Sequence, residues 1–274
     1  MYTLNCKGSL LEISRPLVMG IINVTPDSFY TESRRFTVDS ALRIAENMLA
    51  DGARILDIGG QSTRPGSQTL TAADEMARVL PVIEAICQRF PGTVLSIDTY
   101  FSAVAKASVE AGVSIVNDIS GGNFDNAMLA TVAALRVPYV CMHVKGTVDT
   151  MHRSDAGVDI TKEVLDYFIE RKQACADIGI TDLIIDPGFG FSKTIAQNFE
   201  ILKNLEVFSM LKKPLLLGVS RKSSIYKTLG ITPDEALNGT TVLNTAGLLK
   251  GAAILRVHDV KEAAEAIELT QYLL

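Results

Sequence analysis

Eight short apolar runs recur along this chain, at 17–24, 54–58, 94–97, 114–116, 139–142, 183–185, 215–219 and 253–257, with helical patterns between them. Most of the runs are continuously apolar rather than alternating. That is the pattern of parallel strands covered on both faces, because a strand with one wet face alternates apolar and polar residues. Between the second and third runs, Met76, Val79, Leu80, Ile83, Ile86 and Cys87 recur at helical spacing. Ile160, Val164, Tyr167, Phe168, Arg171 and Cys175 do the same between the fifth and sixth, and Gly179 supplies a stop. Pro81 predicts a kink, since it lacks an N–H and crowds the preceding turn. The longer segment 223–251 predicts a helix start at Pro233 and an additional helix. Residues 2–14 predict a small hairpin across the bottom of the fold.

Parallel strands need crossover connections, and this number of strand–helix units predicts an α/β fold, a (β/α)8 TIM barrel. An open doubly wound sheet is the alternative. With 274 residues, 47% hydrophobic, and no linker or composition shift, residues 1–274 are expected to form a single domain. The net charge of -5 disfavours a general nucleic-acid binder, so an anionic ligand needs local cations. Cys6, Cys87, Cys141 and Cys175 form no C-x-x-C pair and read as reduced thiols. Neither a signal peptide nor a membrane-spanning apolar stretch is evident, and a cytoplasmic location is expected.

In a barrel, the C-terminal ends of the strands carry the chemistry. Here those ends hold Asn23, the segment Gly59 to Arg64, Asp98, Asn117-Asp118, His143, Asp186, Ser220-Arg221-Lys222, and Arg256 with His258. Strands end where polarity begins, so one such residue means little. The set, however, is unusually rich in amides, carboxylates and cations. Asp98, Asn117, Asp186 and Lys222 suit a flat heterocycle, because a carboxylate accepts two parallel N–H bonds and an amide both donates and accepts. Asn23, Arg256 and His258 suit a phosphate or a metal–phosphate pair. Mg²⁺ needs only one or two protein oxygens beside a phosphate, and Asn23 can supply one. His143 reads equally as a structural residue. His152, in a loop, points to no chemistry by itself.

These residues sit in recognisable motifs. They are Met19-Gly20-Ile21-Ile22-Asn23-Val24-Thr25-Pro26-Asp27-Ser28-Phe29, Gly59-Gly60-Gln61-Ser62-Thr63-Arg64-Pro65-Gly66, Asp186-Pro187-Gly188-Phe189-Gly190-Phe191, Gly218-Val219-Ser220-Arg221-Lys222-Ser223 and Ile254-Leu255-Arg256-Val257-His258-Asp259. In this order the chain resembles the bacterial dihydropteroate synthases, a group of pterin-binding enzymes, over essentially its full length.

The resemblance implies a barrel, usually homodimeric. It implies condensation of 6-hydroxymethyl-7,8-dihydropterin pyrophosphate with 4-aminobenzoate, giving 7,8-dihydropteroate and pyrophosphate, with Mg²⁺ at Asn23. Sulfonamides, as mimics of 4-aminobenzoate, are implied competitors. It places the pterin among Asp98, Asn117, Met142, Asp186, Gly218, Lys222 and Arg256, and the pyrophosphate at Asn23, Arg256 and His258. It places 4-aminobenzoate at Thr63, Arg64, Pro65, Phe191 and Ser223, with Asp98, Asp186, Lys222, Arg256 and His258 catalytic. The first loop, 25–35, would close over the diphosphate.

The chain departs from the group's commonest pattern at Tyr30-Thr31-Glu32-Ser33-Arg34-Arg35, and at Gln61, where glutamate is common. It also departs at Ser192, a usual glycine position, and at Gly146-Thr147-Val148, which lacks a frequent proline. A related methyltetrahydrofolate:corrinoid methyltransferase and a catalytically silent pterin-binding paralogue are the competing readings. The Ser220-Arg221-Lys222 and Arg256-Val257-His258 motifs argue against the first, and the presence of Asn23, Arg256 and His258 argues against the second.

Overall fold

In a strand, side chains alternate faces, so in a closed sheet every second residue points inward. The computed structural model of the chain shows this alternation directly. It describes residues 1–24, 34–61, 69–153, 157 and 159–273, with only the backbone for 34–37. Two antiparallel strands, β1 (Tyr2–Cys6) and β2 (Ser9–Ile13), form the hairpin expected at 2–14. The parallel strands are β3 (Leu17–Asn23), β4 (Ile55–Gly59), β5 (Val94–Asp98), β6 (Ile115–Asp118), β7 (Tyr139–Met142), β8 (Leu183–Asp186), β9 (Leu216–Leu217) and β10 (Ile254–Val257). All eight expected runs are present, though the seventh is reduced to two residues rather than 215–219.

The strand order is β8-β7-β6-β5-β4-β3-β10-β9. A parallel bridge between Ile185 and Leu215 brings the two ends of the sheet together, with the Ile185 N–H donating to Pro214 O at 3.0 Å. The sheet is thus a barrel, and the open-sheet alternative falls. Helices α1 (Arg34–Ala50), α2 (Ala72–Arg89), α3 (Ser102–Ala111), α4 (Met128–Leu135), α5 (Ile160–Asp177), α6 (Ile195–Lys203), α7 (Ser223–Leu229), α8 (Leu237–Leu249) and α9 (Val260–Thr270) lie along the chain between and after the strands. A 3-10 turn spans Leu205–Leu211. Helix α2 carries Pro81 inside one continuous helix, and Gly179 takes φ +87 just past α5. The additional helix predicted in 223–251 exists. Pro233, however, opens a turn, accepting from Ala236 N, and α8 starts only at Leu237.

The inward residues fall into layers. The lowest contains Met19, Ile55, Ile115, Val140, Ile184, Leu216 and Ile254, packed on Leu4, Cys6, Leu11 and Ile13 of the hairpin, which plugs the bottom. Two residues further along the same strands stand Ile21, Asp57, Asn117, Met142, Asp186, Gly218 and Arg256, so the character turns largely polar. A layer above, the register aligns Asn23 with Gly59 and Gly59 with Asp98. An apolar bottom beneath a polar mouth makes the mouth the site. Among the described residues no helix is long and apolar enough to cross a membrane.

Candidate active site

Asp57 is the centre of the polar layer. It is 0% exposed, and its Oδ2 accepts from Arg256 Nε at 2.6 Å and from Asn117 Nδ2 at 2.9 Å. Its Oδ1 is buried without a hydrogen-bond partner. A terminal nitrogen of Arg256 donates to Asp98 Oδ2 at 2.5 Å. Burial works against the charge of Arg256, but Asp57 and Asp98 overcome it and hold the guanidinium more firmly protonated. Burial pushes the Asp98 carboxyl up to about 6; Arg256 opposes the shift, and Asp57 and Asp118 add to it. One arginine thus ties together the sides of the barrel from β4, β5 and β10, and Asn117 extends the tie to β6.

Across the mouth, Asp186 accepts the Gly188 N–H on Oδ1 at 2.8 Å. Its Oδ2 faces the space above Gly218. A β-carbon at Gly218 would lie 3.8 Å from Lys222 Nζ, 3.9 Å from Arg256 Cβ and 4.0 Å from Asp186 Oδ2. Glycine there leaves a gap edged by carboxylate and cations. Burial raises the Asp186 carboxyl, with Lys222 opposing, and burial lowers the Lys222 ammonium to about 8, with Asp186 opposing. Lys222 donates to Phe189 O, and its Nζ stands 4.7 Å from the centroid of Phe191. Gly190 makes room for it, because a β-carbon there would come within 2.8 Å of Lys222 Cδ. Met142 packs beside Phe191, Tyr100 and Ile119.

On the rim, His258 Nδ1 lies 3.0 Å from Ser220 Oγ, and the His258 N–H donates to the same oxygen. Arg221 makes a two-point ion pair with Asp259, at 2.9 and 2.7 Å. It is therefore a brace between the β9 and β10 ends. Ser223 opens α7, the helix directly after Lys222.

A β-carbon at Gly59 would touch Asp98 Cβ at 3.5 Å and lie 3.9 Å from Asn23 Oδ1, so glycine keeps an opening between those two residues. This oxygen-lined opening fits a Mg²⁺ that takes one protein oxygen and draws the rest from phosphate and water. Among the described residues, no three His, Cys, Asp or Glu gather as a metal cage. Asn23 would hold the ion, with Asp98 across the gap. Thr63, Arg64, Pro65 and residues 25–33 of the first loop lie outside the described residues. Arg34 and Arg35, expected in that loop, begin α1.

His143 is placed as a structural residue. Burial, reinforced by Lys193, lowers its imidazole to about 2, so it is neutral. Lys193 Nζ lies 3.0 Å from its Nδ1 and donates to the carbonyls of His143, Gly188 and Phe191 at 3.3, 3.0 and 3.1 Å. This buried ammonium ties the end of β7 to the loop that carries Phe189 and Phe191. Sequence reasoning missed both Lys193 and Asp57. For Asp57 a signal existed: it is the one charged residue inside Ile55–Gly59, two positions after an inward isoleucine. Nothing local distinguishes Lys193 from a surface lysine.

The profile of the pterin binding enzyme family matches residues 19–258. The dihydropteroate synthase of Escherichia coli (strain K12) is 40% identical over 267 residues, covering 97% of this chain and 94% of its own. The solved structure of Xanthomonas albilineans dihydropteroate synthase with 4-aminobenzoic acid superposes with a TM-score of 0.91 at 38% identity. It covers 99% of this chain and 97% of its own. Yersinia pestis dihydropteroate synthase in a sulfonamide drug complex gives 0.92 at 38% identity, with 99% of each chain covered. The chain belongs to the pterin binding enzyme family, in its dihydropteroate synthase group.

Proposed function

We propose that this chain joins 6-hydroxymethyl-7,8-dihydropterin pyrophosphate to 4-aminobenzoate, as its relatives' name implies. The observation that carries the reading is the mouth of the barrel, where Asp186 Oδ2 and Lys222 Nζ flank the gap above Gly218 with Arg256 beside them. A carboxylate and an ammonium across one flat gap match a pterin. The Asp186 carboxylate accepts from the 2-amino group and N3–H, and Lys222 faces O4 and N5. Asn117, Asp98 and Met142 line the ring, and Arg256 covers it.

In the reaction, the C–O bond at the exocyclic methylene breaks and pyrophosphate leaves with the electron pair. The dihydropterin nitrogens delocalise the resulting positive charge, which Asp98 and Asp186 favour. The amine nitrogen of 4-aminobenzoate then forms the new C–N bond and gives up a proton. Arg256, His258 and Asn23 hold the leaving diphosphate. Asn23 would hold a Mg²⁺, which when bound would supply further positive charge to the leaving group. Thr63, Arg64, Pro65, Phe191 and Ser223 hold the aryl amine, and sulfonamides compete there. The exposed apolar residues Leu229, Val242 and Leu249 on α7 and α8 suit a second copy of the chain, which gives a homodimer. The four unpaired thiols support a cytoplasmic setting.

The test is turnover by the purified protein with both substrates and Mg²⁺, the product identified by mass and the sample's size by sedimentation. One dihydropteroate per pyrophosphate, from a species of twice the chain's mass, is the expected result. A folded protein that binds pterin but releases no pyrophosphate would sink the catalytic reading.

The titrating groups set a pH window. Asp98 must be ionised to hold Arg256, so kcat/KM for the pterin substrate should fall below about pH 6 as it takes up a proton. Lys222 must be protonated, so kcat/KM should also fall above about pH 8. A profile flat from about pH 5 to 9 would contradict both roles.

A further inference from the structure

The loops after β7 and β8 are joined through Ser192. Ser192 takes φ +46, the left-handed region that suits glycine and crowds any other residue. Its hydroxyl accepts the Lys145 N–H at 3.0 Å, and its own N–H donates to Met151 O at 2.7 Å. Serine thus adds a bond that glycine cannot make, from one loop to the other. The next residue after Met151 is His152, whose imidazole stacks on Phe191 with centroids 5.7 Å apart and planes at 24°. Phe191 is 9% exposed and packs with Tyr100, Ile119, Met142, Val144 and Met151. His152 itself is exposed, so it caps the ring from the solvent side.

We propose that His152 is a positioning residue for the aryl amine, acting through Phe191. The Ser192 bonds hold the loop after β7 in place, and that loop stacks the imidazole on the Phe191 ring, fixing the wall that the substrate's aromatic ring meets. A wall held rigid before binding loses little freedom when the substrate arrives, so the stack lowers the KM of the aryl substrate. Lys222, over the same Phe191 ring, faces the pterin and is held separately by Phe189 O. That second hold keeps Lys222 in place when Phe191 loosens, so the larger effect falls on the aryl amine. The proposal rests on the reading of Phe191 as part of the 4-aminobenzoate site.

The experiment is steady-state kinetics of the full chain and its His152→Ala, His152→Phe and Ser192→Ala variants with Mg²⁺, varying each substrate at saturation of the other. His152→Ala and Ser192→Ala should raise the KM for 4-aminobenzoate about 3- to 10-fold, the cost of ordering one side chain when the substrate binds. The kcat and the KM for the pterin substrate should stay within about twofold. His152→Phe keeps a stacking ring and should return the 4-aminobenzoate KM to within about twofold of the parent. An active parent whose His152→Ala variant keeps the same 4-aminobenzoate KM overturns the positioning role alone. A joint rise of both KM values that phenylalanine fails to reverse overturns it as well. A folded parent that forms no dihydropteroate removes the underlying reading, and the proposal with it.

Discussion

Asp57→Ala is expected to lower stability by about 3–5 kcal/mol and to abolish measurable turnover. The carboxylate is fully buried and accepts from both Arg256 Nε and Asn117 Nδ2. Truncation would leave the Arg256 guanidinium with Asp98 as its one carboxylate partner among the described residues and would strand the Asn117 amide. Removing one partner of a buried ion pair costs more than the pair itself contributes, because the remaining charge stays desolvated. Arg256 would also lose the contact that sets its direction across the mouth. Urea unfolding of the variant, beside the turnover assay, checks both parts. Stability within about 1 kcal/mol of the parent would mean that Asp57 is not the centre of the network.

Asp186→Asn is expected to weaken pterin binding by about 100- to 1000-fold while leaving the fold intact. The amide keeps an oxygen for the Gly188 N–H, so the local turn survives. It cannot offer two charged acceptors to an amidine-like edge, and each charge-assisted bond is worth about 1.5–3 kcal/mol. A second consequence has a definite sign. The Asp186 carboxylate is what opposes the effect of burial on Lys222. Its removal should move the alkaline limb of the residual activity to a pH below about 8. Calorimetric titration with a pterin and the pH profile of the variant measure the two effects. Unchanged pterin affinity would remove Asp186 from the pterin-reading role.

The barrel was legible because of a physical rule that acts locally. A strand covered on both faces must be apolar along its length, and eight such runs stand out between helical periodicities. The strand-end residues were legible for a related reason: a barrel's catalytic groups lie where those apolar runs stop. Motif order then linked them to a family. Boundaries were less exact where local chemistry is permissive. The strand near 215–219 shrank to Leu216–Leu217, and Pro233 marked a turn rather than the first residue of α8.

What the sequence determined by itself was the alternation of strands and helices and the supply of carboxylates, amides and cations at one end of the fold. Only the tertiary structure decided how they pair. Arg256 meets Asp57 and Asp98 across separations of 199 and 158 residues, and barrel closure alone brings them within 2.6 and 2.5 Å. Asp57 was hidden because a charge inside an apolar strand shows its meaning only when its partners arrive from other strands. Lys193 and His152 were hidden for the same reason. A buried ammonium and a stacked imidazole look in sequence like any loop lysine and histidine. Their burial and partners come from two loops packing together, which no local pattern encodes.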